Sequence, residues 1–367
     1  MCVVDLGPCL YYMGEMMKKA HMLGTKDRAF VPRLVLCGIV GFCLATAYAN
    51  SGDRVEAVRS NGKPWTRIEA VGRYTLLGDI VDAKNLSGLA FLSDRFGLMG
   101  ADETREVQVV EVSRQAKTLR VVETIPLVRS GSEIDIEAIA AEADGCYIVG
   151  SHGASKTKGE RQDNRHSIFR LKVDPATGRP RGGAGGLQAA SLAGVIRADP
   201  VLGEHLGQPL QQKGINIEGL AVRNGQLFVG FRNPNLGGCA FVMEIRADDV
   251  FGGGPRPQYV LHRLRLGEGL GIREIVAAKS GFLIIGGNAG SEPSKKYAEA
   301  EDYEKDRDFL LFRWDGKSTE VHKIGALPKI DGKAEAMAII EETSDSVTVL
   351  ILFDGPNRGR PTIYRVS

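Results

Sequence analysis

Five stretches of this chain open alike: NLSGLAF (residues 85–91), DIEAIAA (135–141), NIEGLAV (216–222), GIREIVA (271–277) and KAEAMAI (333–339). Each is a strand-length run of apolar and small residues with a different kind of side chain, mostly charged, in third place. Self-similarity at a spacing of tens of residues marks a repeat architecture, in which one unit cannot bury its apolar face without its neighbours. Each opening is followed by a second run: FGLMGAD (96–102), CYIVGSH (146–152), LFVGFR (227–232), FLIIGGN (282–288) and VTVLILFD (347–354). Third runs are VQVVEV (107–112), SIFRLKV (167–173), AFVMEI (240–245), FLLFRW (309–314) and TIYRVS (362–367). Fourth runs exist in four units only: LRVVETIPL (119–127), LQAASLA (187–193), YVLHRLRL (259–266) and EVHKIGAL (320–327).

The fifth unit stops at Ser367 with three strands, while TRIEAVGRYTLLG (66–78) stands unassigned before the first. Joining the two predicts an all-β chain: a β-propeller of five four-stranded blades, closed by an N-terminal strand, which leaves no long open sheet edge. A six-bladed ring is the alternative. It needs another blade within 175–214, where strands are few and GVIRADPVLGEHL (194–206) reads as a short helix in a long connection.

The first 33 residues carry Lys18, Lys19, Lys26, Arg28 and Arg33, followed by an apolar run over 34–44 that ends in Ala47, Tyr48 and Ala49. That pattern predicts a secretory signal over 1–49, cleaved after Ala49, with Met13, Met16, Met17 and Met22 as alternative starts. The apolar run is short of the ~20 residues of a spanning helix, so an uncleaved anchor is the weaker reading. Residues 50–65 then form a linker and 66–367 a single propeller domain, periplasmic or secreted. Four of six cysteines, Cys2, Cys9, Cys37 and Cys43, fall in the leader; Cys146 and Cys239 either pair or stand as two thiols. Removing 1–49 leaves 42 basic and 42 acidic residues. Such balance offers no footprint for nucleic acid, nor for a membrane surface after signal cleavage.

In a propeller blade the innermost strand leaves one face and the second returns to it, so two positions per blade converge there. The first, third in each opening, reads Ser87, Glu137, Glu218, Arg273 and Glu335; the second reads Asp102, His152, Arg232, Asn288 and Asp354. The two lie 15, 15, 14, 15 and 19 residues apart. Ten side chains, all polar or charged, thus ring one mouth, where binding sites of radial folds sit. Three long insertions, GASKTKGERQDNR (153–165), the connection 194–214 and AGSEPSKKYAEAEDYEKDR (289–307), open onto the same face as a lid or as solvated loops.

Like charges near one axis repel, so Glu137, Glu218 and Glu335 need compensation. Ca²⁺ or Mg²⁺ would supply it, with Asp135, Asn216 and Asn288 as further oxygen ligands. Arg273 is the other compensator, through an ion-pair network that needs no ligand. Arg232 has the fork geometry that grips a phosphate or carboxylate, and His152 is the candidate general acid or base. His166, His205, His262 and His322 lack metal-ligand spacing, and the usual nucleophile, zinc and nucleotide motifs are missing.

DIEAIA (135–140) with Gly150–His152, and NIEGLA (216–221) with Gly230, Arg232 and Pro234, resemble an uncharacterised bacterial propeller family, a domain of unknown function. Ala138 and Phe231 depart from its pattern, which has Gly and Leu there, without loss of a polar group. A more distant similarity is to the esterase-like phytase domain, which shares the type of opening. Two readings follow. One is an exported propeller that binds a small molecule, glycan or protein at the ringed face. The other, which the phytase resemblance implies, is a metal-assisted phosphoester or ester hydrolase: Glu137, Glu218, Glu335 and Asp135 hold the cation, Arg232 or Arg273 holds the anionic substrate, and His152 handles the proton; the ligand-binding candidates of the ringed face are Arg232, Arg273, Asn216, Asn288, Asp102 and Asp354.

Overall fold

The first and second strands of every repeat pair antiparallel about short turns, and the resulting sheets arrange as five blades around an axis in the computed structural model. The structure describes residues 65–367 apart from 144, 156–157 and 255–256, within one compact unit. The leader, its cysteines and most of the linker therefore lie outside the described residues.

Blade one has β3 (Leu86–Phe91), β4 (Phe96–Ala101), β5 (Glu106–Ser113) and β6 (Thr118–Pro126); blade two has β7 (Ile136–Glu142), β8 (Gly145–Gly150), β9 (Ile168–Lys172) and β10 (Leu187–Ala190). Blade three has β11 (Asn216–Arg223), β12 (Gln226–Leu236), β13 (Cys239–Arg246) and β14 (Tyr259–Arg265). Blade four has β15 (Leu270–Ala278), β16 (Gly281–Asn288), β17 (Leu310–Trp314) and β18 (His322–Ala326). Blade five joins β19 (Lys333–Glu342), β20 (Val347–Asp354) and β21 (Thr362–Val366) to β1 (Ile68–Arg73) from the other end of the chain. β1 runs antiparallel to β21, Ile68 opposite Val366 and Ala70 opposite Tyr364, and Ser367 exchanges hydrogen bonds with Arg67 at 3.0 Å each. The segment 66–78 does more than close the ring. After β1 it turns into β2 (Thr75–Leu77), which pairs in parallel with β6 and gives blade one a fifth strand.

Residues 175–214 contribute β10 and the helix α1 (Ala193–Ala198) rather than a sixth blade. The apolar core is divided into slabs, one between each neighbouring pair of blades. Leu98, Val107, Ile136 and Ile148 lie between blades one and two, and Leu89, Leu119, Leu350 and Ile363 between blades one and five. Each inner strand thus packs on both neighbours, which is why no repeat is stable alone. Cys146 and Cys239 are both free; burial pushes the Cys146 thiol up to about 12, so it packs as a small apolar group.

Candidate functional site

The pairing of first and second strands slips at the same place in all five blades. The slips fall between Leu86 and Gly88, Ile136 and Ala138, Ile217 and Gly219, Ile272 and Glu274, and Ala334 and Ala336. The residue passed over is each time the third of the opening motif: Ser87, Glu137, Glu218, Arg273 or Glu335. A bulge inserts one unpaired residue and re-aims its side chain. Five bulges therefore turn five side chains, in sequence a mere periodicity, toward one axis.

Four of the five find partners there. The Ser87 hydroxyl donates to the Ile136 carbonyl of the next blade. Glu218, 2% exposed, accepts a hydrogen bond from Arg232 Nη1 at 2.9 Å on one oxygen and has Arg273 Nη1 at 2.8 Å from the other. Arg273 Nη2 donates to Glu335 Oε1, so one guanidinium ties blades three, four and five. Burial works against the charge on Arg273, but Glu218, Glu335 and Glu137 outweigh it and hold the guanidinium above its ordinary range. Lys333 is likewise kept charged, since Glu335 and Asp354 overcome its burial.

Glu137 stands apart. Among the described residues it makes no ion pair or hydrogen bond. Burial first, then the charges of Glu218, Asp135, Asp102 and Glu335, push it well above the usual carboxyl range. The other two ring glutamates, Glu218 and Glu335, are instead paired with Arg232 and Arg273.

The second set of positions does different work: its members anchor loops. Arg232 donates from Nε and Nη2 to the carbonyls of Asn288, Ala289 and Gly290 at 2.9–3.1 Å. Asn288 exchanges hydrogen bonds with the Glu304 backbone and accepts from Arg307 Nε, so it ties down both ends of the insertion 289–307. Asp354 pairs with Lys333 at 2.8 Å, and Asp102 accepts from the Glu103 amide. Asp135, at φ 58°, is held by Arg165 at 2.9 Å together with Glu133. Asn216 is buried with its Oδ1 unpartnered.

His152 is fully buried, with both nitrogens in use. Nδ1 lies 2.9 Å from the Gly150 carbonyl, and Nε2 accepts from the Leu192 amide at 3.1 Å. Burial pushes it down to about 3 against the raising effect of the Gly150 bond, so it stays neutral. The expected proton donor or acceptor is here a latch that pins the start of α1 to blade two. Among the described residues, no group of three or more His, Cys, Asp or Glu side chains is arranged to hold a metal ion. The cation that the three ring glutamates seemed to require is, for Glu218 and Glu335, supplied by arginine.

Sequence reasoning missed the concavity beside the ring. A cleft of about 770 Å³ lies between blades four and five, floored by Arg232 and Arg273 and walled by Tyr303, Arg307, Phe309, Lys329, Lys333 and Phe353. Three of these, Tyr303, Arg307 and Lys329, come from the charged insertion and from the β18–β19 connection, whose composition alone reads as solvated loop. The three insertions meet: Gln211 Nε2 donates to the Glu292 carbonyl and Lys296 Nζ to that of Lys158, each at 3.0 Å.

Fold and site together define a five-bladed β-propeller with a bulge-built, charge-compensated ring at its axis and beside it an aromatic cleft of mixed charge, lined also by Glu292, Asp306, Asp308 and Asp331. The profile of DUF3616, proteins of unknown function, matches residues 85–177 and 184–365, and the chain belongs to that family. No curated protein matches. Among solved structures, a Bacteroides thetaiotaomicron protein of unknown function is 11% identical, with 82% of this chain and 75% of that one covered and a TM-score of 0.36. A Lactobacillus plantarum protein is 14% identical over 79% of this chain and 73% of its own, at 0.34. A streptogramin B lyase is 8% identical over 83% and 98%, also at 0.34. Likenesses of this size carry nothing about activity.

Proposed function

We propose that this is an exported propeller, directed to the periplasm or beyond by residues 1–49, that binds a small organic anion at the ringed face without transforming it. The observation that carries the reading is Arg273. It floors the cleft, is 3% exposed, and among the described residues its Nε donor has no hydrogen-bond partner. A buried unmet donor is costly, and a carboxylate or phosphate oxygen meets it. Lys333 and Arg307 stand at the wall, each paired with one carboxylate, Asp354 and Glu304, and Tyr303, Phe309 and Phe353 offer faces for an apolar or ring-shaped body. The hydrolase reading has less support, because His152 is committed to two hydrogen bonds and Arg273 stands where a cation would neutralise the ring.

The test is ligand-observed NMR of the purified protein against a panel of aromatic and aliphatic carboxylates and phosphate esters, repeated with Lys333→Ala and Tyr303→Ala. Both variants lie at the wall and keep the Arg232–Glu218–Arg273–Glu335 network, while Lys333→Ala also removes the ion pair to Asp354. Binding that weakens about tenfold in Lys333→Ala, with the ligand recovered unchanged, supports the proposal. A panel without binders, binding indifferent to both variants, or turnover of the bound ligand overturns it.

A further inference from the structure

A second, smaller cavity of about 160 Å³ lies between the insertion after β8 and the connection that leads from β10 to β11. It shares no residue with the cleft. Its walls are Ala154, Leu206 and two glycines, and its polar groups are Arg161, His166 and Arg197. The volume equals about five waters at about 30 Å³ each, room for a tetrahedral anion but not for a large organic body.

His166 is 6% exposed, and among the described residues neither of its ring nitrogens has a hydrogen-bond partner; Nδ1 is sealed within the protein. A buried imidazole left this way is an unpaid polar group unless a guest completes it. Arg197, on α1, makes no hydrogen bond or ion pair among the described residues, while Arg161 is held by Asp163 at 2.7 Å. The charged groups that face His166 are Arg161, Asp163, Arg197 and Arg165, with the neutral ring of His152 at 5.5 Å between centroids. Arg165 is occupied by Glu133 and Asp135, so the cavity keeps one uncommitted guanidinium and a second shared with a single carboxylate.

We propose that this cavity is a binding site for a compact tetrahedral oxyanion, sulfate or phosphate, gripped by Arg197 and Arg161 and completed by His166. Arginine forks match the oxygen edges of such anions. Burial, then Arg161, holds the imidazole down to about 4, against the pull of Asp163. An anion placed beside it reverses that balance, so binding takes up a proton and tightens toward acid pH.

Calorimetric titration of the purified protein tests this with sodium sulfate at pH 5.0 and 7.5, since sulfate keeps its charge over that range. The expected result is one site per chain, tighter at pH 5.0, and weakened at least tenfold in Arg197→Ala, an exposed position whose loss leaves the fold intact by circular dichroism. His166→Gln should bind with the pH dependence gone. Inorganic phosphate and phenyl phosphate then identify the source: equal binding assigns the terminal group of an ester, and binding of inorganic phosphate alone assigns the free ion. No heat with sulfate or phosphate at millimolar concentration, or full binding by Arg197→Ala, overturns the proposal.

Discussion

Glu137 and Glu218 occupy the same bulge on neighbouring blades, yet the carboxyl of one is pushed well above its usual range and the other is clasped between two arginines. The difference is the neighbour on the next blade. Glu218 meets Arg273, whereas Glu137 meets Glu218, so the ring alternates acid and base on one side only. This has a consequence for stability. Glu137 binds its proton more tightly folded than unfolded, so stability is fullest below the ordinary carboxyl range and declines as pH rises above about 4.5. Glu137→Gln, of the same shape and without the charge, should raise stability more at pH 7.5 than at pH 4. Urea denaturation at the two pH values measures it, and an equal effect at both would count against a raised Glu137 carboxyl. His152 acts in the opposite sense. Its folded value lies near 3, below the unfolded imidazole, so stability is lost as pH falls below about 6.5. His152→Ala should cost about 2–4 kcal/mol, from the Leu192 hydrogen bond and the cavity left behind. If His152 instead shuttled protons to a ligand, its ring resonances would titrate between pH 5 and 8; the latch predicts that they stay fixed.

At the scale of elements, the alternation of apolar runs with Gly, Asp and Asn turns made the strands legible, because a blade buries both faces of its inner strands and leaves short turns outside. Two features escaped that reading. β2 is three residues long and pairs in parallel with β6, a contact between segments about forty residues apart that has no local signature. The bulges are equally silent, since a polar residue within an apolar run looks the same whether it sits in register or is passed over. What did show was the small residue beside the bulge. At Gly219 an added Cβ would stand 2.9 Å from Ile275 Cγ2, and at Gly230 it would stand 2.6 Å from Ile272 Cγ2. Blade three lies that closely against blade four, and a methyl group there must push the isoleucines or part the blades. Gly230→Ala should therefore destabilise by about 1–3 kcal/mol, read as a lowered Tm. Gly225, whose added Cβ would meet nothing, lies at φ 71°, so an alanine there would report backbone strain instead of packing.

Across the whole molecule, the number of blades was legible because five openings left one strand too many at the start and one too few at the end. The ring residues were legible as a spacing, but their division of labour was not. Whether Arg273 or a metal would balance the glutamates depends on side chains from three blades meeting within hydrogen-bond reach, and no single repeat contains that information. The same closure makes a molecular-scale prediction. β1 completes blade five through five register pairs with β21, and it is the chain's own N-terminal piece that does so. Deleting residues 65–73 removes no ring residue and no cleft wall, yet it leaves β21 as an open edge and uncovers Tyr364 and Val366, both now fully buried. An exposed edge of that kind pairs with another chain. The truncated protein should lose stability by several kcal/mol and sediment as dimers or larger species. Adding back a peptide of residues 65–73 should reverse that association by refilling the vacant position. If the truncated chain associates no more than the full-length chain and melts at the same temperature, β1 is ornamental and the ring is held shut by the inter-blade slabs alone.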